Sequence, residues 1–323
     1  MSDGSLAQGS VYLYVPNKGA AIFFTAAFAS SGLFHLWQCF YYQCFKTTAL
    51  LPFCCALLTA GFATRAYGAV HYDDAQVYTA STLLIYLSPH LANFQILGRV
   101  FHFVPYFASM HPARMLLTFA CLTAVTELLT AMGVSYLANR ALPEKLSRMG
   151  DSMMKASLIV QILIVSLFFL MAGIFHYCCR ASGIGSPKVM RPMAVLCTSM
   201  ALVLGRTLYR VAEHFSTAPN PSALDPSSLS PVVLNEWYFY VFDAALMLIG
   251  LVLWNVWHPR RYLPQSQTRY LAQDGVTVLK GPGWKDSRSL AETFLDPFAA
   301  MTNRGGHKKP FWEHNGYALK RRR

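Results

Sequence analysis

The chain has 323 residues, 54% of them hydrophobic and 13% charged, with a formal net charge of +12. A soluble domain is about a quarter charged. Here the apolar residues come in long blocks instead of amphipathic stripes, which excludes a soluble globular fold and predicts an all-α, polytopic membrane protein. The charge is uneven: residues 259–323 hold 13 of the 27 Lys and Arg and 5 of the 15 Asp and Glu, a net of +8 that leaves +4 for the rest. A basic tail on an apolar body does not argue for nucleic acid, and no nucleic-acid partner is expected.

Residues 1–18 lack a basic start, an apolar stretch and a cleavage site, so they read as an outer N-terminal segment without a cleaved signal peptide. Seven spans are predicted over 19–41, 47–67, 76–98, 115–138, 156–178, 192–212 and 236–257, each near the ~20 residues that cross ~30 Å of hydrocarbon. Together they form one bundle over 19–258. Pro52 and Pro89 fall inside spans and are expected to kink them. Pro192 falls at a helix start, where its missing N–H is harmless. Trp37, Trp237, Tyr238, Trp254 and Trp257 sit towards span ends, as in aromatic belts.

Basic residues in the loops predict the orientation. With the N-terminus outside, the inside carries Lys46, Arg114, Arg180, Lys188, Arg191, Arg260, Arg261 and Arg269. The outside carries Lys18, Arg140, Lys145, Arg148 and Lys155. The Pro- and Ser-rich connection over 213–235 reads as an irregular outer loop. Residues 259–323 read as a disordered cytoplasmic tail that can contact anionic lipid.

The eight cysteines, Cys39, Cys44, Cys54, Cys55, Cys121, Cys178, Cys179 and Cys197, lie in or beside apolar segments and read as buried thiols. No P-loop, H-E-x-x-H or G-x-S-x-G motif occurs, and the last span has no lysine for a Schiff base. No enzyme activity, cofactor or metal is expected. Leu97-Gly98-Arg99 is echoed by Leu204-Gly205-Arg206, a three-residue match that chance also produces.

Charge inside the spans is costly and marks the candidate site. Arg206, Arg210 and Glu213 are four and then three residues apart, so they share one helix face. Glu236 and Asp243 are seven apart on the next span. An inter-helix lock between these two groups is expected, either as a structural network or as the lining of a substrate site. His35 and Gln38, three apart, either hold a head group or bond to a neighbouring helix. Arg65 and Arg99 near span ends are expected to snorkel, with phosphate contact as the alternative, and Arg99 joins His35 and Gln38 among the candidate substrate-binding residues. Glu127 is the lone acid of the fourth span and needs a cation beside it or a proton on it.

Several of these residues form a pattern: Arg206-x-x-x-Arg210-x-x-Glu213, Glu236-Trp237 with Asp243 and a closing His258-Pro259, His35-x-x-Gln38, Gly61-x-x-x-Arg65, and Ser88-Pro89 before Leu97-Gly98-Arg99. The pattern resembles the fungal lipid-translocating exporter family, the resistance-to-aminocholesterol-like proteins, over about residues 12–264. The family tends to place an acid three residues before the glycine of the second span, where this chain has Leu58. The resemblance implies seven spans, an outer N-terminus, a plasma-membrane or related location, and movement of or resistance to amphiphiles such as sphingoid bases, sterol-like compounds or porphyrins. Arg206 and Arg210 would hold an anionic group, and Glu236 and Asp243 a cationic amine. The alternative is a seven-helix receptor or sensor of the same amphiphiles.

Overall fold

A computed structural model describes residues 16–71, 74–86, 90–139, 142–216, 231–281 and 284. The chain folds into α1 (Lys18–Tyr42), a short α2 (Phe45–Thr48), α3 (Leu50–Gly68), α4 (Ala75–Tyr86), α5 (His90–Phe103), α6 (Pro112–Ala138), α7 (Glu144–Ala181) and α8 (Pro187–Phe215). After the short α9 (Pro231–Leu234), α10 (Glu236–Phe239) runs through a π-helical turn (Tyr240–Ala245) into α11 (Leu246–Val256). Among the described residues, six helices are long and apolar enough to cross a membrane, the last of them spanning Glu236–Arg261. The protein is a multi-pass, all-α membrane protein.

The expected single span over 76–98 is instead two helices, α4 ending at Tyr86 and α5 starting at His90. Pro89 itself lies outside the described residues. Helices α7 and α8 start earlier than the apolar pattern suggests. The 38 residues of α7 measure about 57 Å at 1.5 Å each, well beyond the hydrocarbon thickness. Its first turns carry Arg148–Glu144 at 2.6 Å and Lys155–Asp151 at 2.7 Å, pairs that suit an amphipathic helical extension. Pro187 takes the N-terminal position foreseen for Pro192, which lies inside α8.

The core is apolar and centred on α5, whose Ala92, Phe94, Ile96, Leu97, Val100 and Phe101 are all buried. A helix buried on every side reads apolar all round. Phe94 stacks on Phe119 of α6 at 3.8 Å. Asn93 satisfies its polarity by accepting from Trp254 Nε1 at 3.0 Å and from Ser199 at 3.2 Å, joining α5 to α11 and α8. The outward faces are also apolar, with Phe23, Leu33, Phe40, Leu128, Leu163 and Leu170 exposed. Such a surface is stable only against lipid.

Residues 259–281 are not the solvated tail that their polarity suggests. Pro259–Arg261 form a 3-10 turn, and β1 (Arg269–Leu271) pairs antiparallel with β2 (Val278–Lys280), Tyr270 opposite Leu279. Leu263, Tyr270 and Leu271 are buried. The hairpin turn uses Gly275 at φ +72°, where its Cα hydrogens face Ile184. Alternation in a short hairpin is easily lost among polar residues, and here it marks a segment seated on the bundle. Residues 285–323, the rest of the expected tail, lie outside the described residues.

Candidate functional site

The site lies where α8, the π turn, α4 and α3 meet. Arg206 and Arg210, one helical turn apart on α8, point at the same carboxylate. Arg206 Nε donates to Asp243 Oδ1 and Arg210 Nη2 pairs with Oδ2. All three are buried, Arg206 at 2% and Asp243 at 1% exposure. The lock foreseen between the two spans is present, and it employs both arginines. A π turn inserts one extra residue into the helical register and re-aims side chains, and such turns concentrate at functional sites. Here it carries Asp243 inward.

Arg206 has a second role. Its Nη2 donates to the Ile85 carbonyl at 2.7 Å and the Tyr86 carbonyl at 3.4 Å. These are last-turn acceptors of α4, which lack partners within their own helix and gather negative partial charge. A guanidinium has donors in a planar fork, so one arginine can serve a carboxylate and a helix end together. Arg210 in turn donates to Glu213 Oε2 at 2.8 Å, while Tyr209 donates to Glu213 Oε1 at 3.0 Å. Glu213 thus competes for Arg210 without displacing Asp243.

Glu236 does not join this lock. It pairs with Arg65 of α3 at 2.8 Å and accepts from the Asn17 backbone N–H at 2.6 Å, tying α10 to α3 and to the start of α1. Arg65, expected to snorkel, is buried instead. Leu58, at the position where an acid was looked for, is buried in the apolar core, and the carboxylate for Arg65 comes from Glu236. Aromatic rings separate the two ion pairs. Arg65 stacks over Phe239 at 4.3 Å, Arg210 lies over the same ring at 5.2 Å, and Arg210 also covers Tyr86 at 4.3 Å. Phe239 and Tyr86 escaped the sequence reading because an aromatic in an apolar span carries no distinguishing signal. Only the spacing of Phe239, three after Glu236 and four before Asp243, places it on the charged face.

Among the described residues these pairs set three arginines, Arg65, Arg206 and Arg210, against three carboxylates, Glu213, Glu236 and Asp243. The remaining sequence candidates lie elsewhere. His35 Nε2 donates to the Leu251 carbonyl at 3.1 Å and Gln38 Nε2 to the Asn255 carbonyl at 2.8 Å. Asn255 returns a bond to Ser31 Oγ at 2.7 Å. This strip fastens α1 to α11. Arg99 donates to the carbonyls of Pro264 and Gln265 at 2.9 and 2.8 Å, holding down the segment after the bundle. Among the described residues, no group of three or more His, Cys, Asp or Glu is placed to hold a metal ion.

A groove of about 590 Å³ opens on the same helix pair, between α8 and α11, lined by Arg191, Ala194, Val195, Thr198, Leu253 and Trp257. Its lining is mostly apolar with one cation, Arg191.

Several known proteins are similar to this chain in sequence. A lipid-translocating exporter-like protein RTA1 of Leptosphaeria maculans is 41% identical over 297 residues, covering 86% of this chain and 56% of its own length. The chain therefore spans little more than half of that relative. A lipid-translocating exporter-like protein RTA1 of Ajellomyces capsulatus is 28% identical over 73% of this chain and 76% of its own length. A protein of Emericella nidulans named "Probable lipid transporter atnI" is 23% identical over 80% of this chain and 70% of its own length. No solved structure matches. The family model "RTA1 like protein" matches residues 51–266, a stretch that holds every residue of the two ion-pair clusters except Asn17, and the chain belongs to that family.

Proposed function

We propose that this protein translocates amphipathic lipids or toxic amphiphilic small molecules across its membrane, with the Arg206–Asp243–Arg210 cluster as the head-group gate. The observation that carries this reading is a buried ion cluster between α8 and the π turn, with an open apolar groove further along α8 and α11. The groove suits a tail and the network suits a head, which is the division an amphiphile requires. The names of the relatives, lipid-translocating exporter and lipid transporter, support the same class. Sphingoid-base-, sterol- and porphyrin-like compounds are the candidate substrates, and export or resistance is the expected outcome in a plasma membrane.

The α4–α5 pair is read as the seventh crossing, with the N-terminus outside and the C-terminus inside. This puts Asn17, Glu236 and Arg65 at the outer mouth and the hairpin at the inner one. A reporter fused after Arg323 is then protected from external protease in intact cells; ready cleavage reverses the orientation.

The function is tested with purified protein in liposomes and a labelled long-chain base. Acceleration of its movement over protein-free vesicles is expected. Saturable binding without acceleration would replace the transporter with a sensor of the same ligand.

A further inference from the structure

One acid in the spans takes no part in either ion-pair cluster. Glu127 lies on α6, and among the described residues no cation lies within ion-pair distance of it. Its Oε1 is buried without a hydrogen-bond partner among the protein's groups, and so are Thr123 Oγ1 and Gln161 Nε2. Thr123 and Gln161 are 9% and 4% exposed.

These three atoms belong to one seam. Thr130 bonds Ser157 at 3.1 Å, and a Cβ on Gly133 would meet Met154, which fixes the antiparallel register of α6 on α7. That register sets Gln161 opposite Thr126, within a turn of both Thr123 and Glu127. By that register an acceptor, a donor and a hydroxyl lie within about a turn of one another along the α6–α7 seam. Buried polar groups of this kind call for water or a ligand.

Among the described residues few charges surround Glu127; the His90 side chain at the start of α5 lies outside them. At its level α7 presents Ser157 and Gln161, both uncharged. The nearest charges on α7, Lys155 and Asp151, pair with each other at 2.7 Å, and Asp151 also faces His214 of α8 at 3.1 Å. α4 ends here at Tyr86, and α5 brings Asn93, already bound to Trp254 and Ser199. The field of Arg206, from α8, reaches Glu127. Arg206 itself is held by Asp243 and the Ile85 carbonyl.

We propose that Glu127 is the alternate partner of Arg206 and carries the proton exchanged for a cationic amphiphile. An ionised carboxylate without a partner is costly in such a site, so Glu127 holds its proton while Arg206 rests on Asp243. A substrate cation that takes Asp243 finds a carboxylate walled by Tyr86 and Phe239, rings that already stack a guanidinium and suit an ammonium equally. Arg206 is released, turns to Glu127, and the Glu127 carboxyl gives its proton to water along the Thr123–Gln161 seam. One monovalent cation enters the site as one proton leaves it, so the exchange is electroneutral and a proton gradient supplies the driving force. This rests on the translocation reading and adds its coupling ion and the carboxyl that carries it.

The test uses the full chain in liposomes and a fluorescent long-chain quaternary ammonium, which cannot carry a proton itself. Vesicles acidic inside by about one pH unit should accumulate the probe about tenfold, since a one-for-one exchange balances equal ratios. Adding the probe without a gradient should drive proton release, read by an entrapped pH-sensitive dye. E127Q should equilibrate the probe with neither accumulation nor proton release, and E127D should restore part of both. Probe movement by the wild type that ignores the gradient overturns the coupling and leaves translocation standing, whatever the variants do. Accumulation by E127Q equal to wild type overturns the role of Glu127. No probe movement by the wild type under either condition overturns both readings.

Discussion

Asp243 is the residue on which most of the buried charge depends, because one carboxylate answers two guanidiniums. Removing one member of a buried pair costs about 3–5 kcal/mol by leaving a charge uncompensated. Asp243→Ala is therefore expected to lower thermal stability in detergent by that order. Arg210→Ala should be milder, since Arg206 still holds Asp243 and Glu213 is half-exposed. In a double-mutant cycle the losses should be less than additive; strict additivity would show that the pair does not couple. Phe239, with Arg65 and Arg210 against one ring, makes a second test. Phe239→Leu stays apolar but loses the ring and a little volume, so about 0.5–2 kcal/mol of cation–π stabilisation should disappear on top of a small packing loss. An unchanged melting temperature would reduce Phe239 to filler. At this scale a lock joining Arg206 or Arg210 to Asp243 or Glu236 was legible from spacing and cost; that Asp243 takes both arginines while Glu236 turns to Arg65 was not. His35, Gln38 and Arg99 were not separable from site residues, because a polar side chain that bonds a neighbouring backbone looks in sequence like one awaiting a ligand. The carbonyls of Ile85 and Tyr86 leave no mark in side-chain sequence at all.

Among the elements, α4 is held at its C-terminal end by a chain of contacts that begins on α3. A Cβ at Gly61 would stand 2.9 Å from Ile85 Cγ1 and 3.1 Å from the Ile85 backbone nitrogen, which cannot move aside alone. Gly61→Ala should push α4 outward and pull the Ile85 carbonyl from Arg206. A loss of about 1–3 kcal/mol is expected, as for overpacking. Gly173→Ala, with nothing within 4 Å, is the control and should be neutral or slightly stabilising. The hairpin makes a separate prediction. Truncation after Trp284 keeps the described contacts, including the bond from His111 to the Trp284 carbonyl at 3.1 Å. Truncation after Leu263 removes the partners of Arg99 and uncovers the surface under Leu271, and should lower the melting temperature by several degrees more. Equal melting of the two truncations would make the hairpin an appendage. Helix existence was legible from apolar length, because length is what a bilayer demands. The extra turns of α7, the π turn and the seated hairpin were not, since each is set by packing and not by hydropathy.

For the whole molecule, the Arg65–Glu236 pair, the Arg206–Asp243–Arg210 lock and the hairpin are all engaged, which under the proposed translocation is a closed state. Passage of a head group requires α8 to part from the π turn and α11. Gly205 lies against Leu246, its added Cβ only 3.3 Å from Leu246 Cδ1, so this pair reports that separation. The decisive measurement is flux of a labelled long-chain base through liposomes bearing Gly205→Cys and Leu246→Cys in a background freed of the eight native cysteines. Flux should fall to the protein-free rate once the two thiols are cross-linked and return on reduction. Undiminished flux with the cross-link complete would contradict a gate at the Arg206–Asp243–Arg210 cluster.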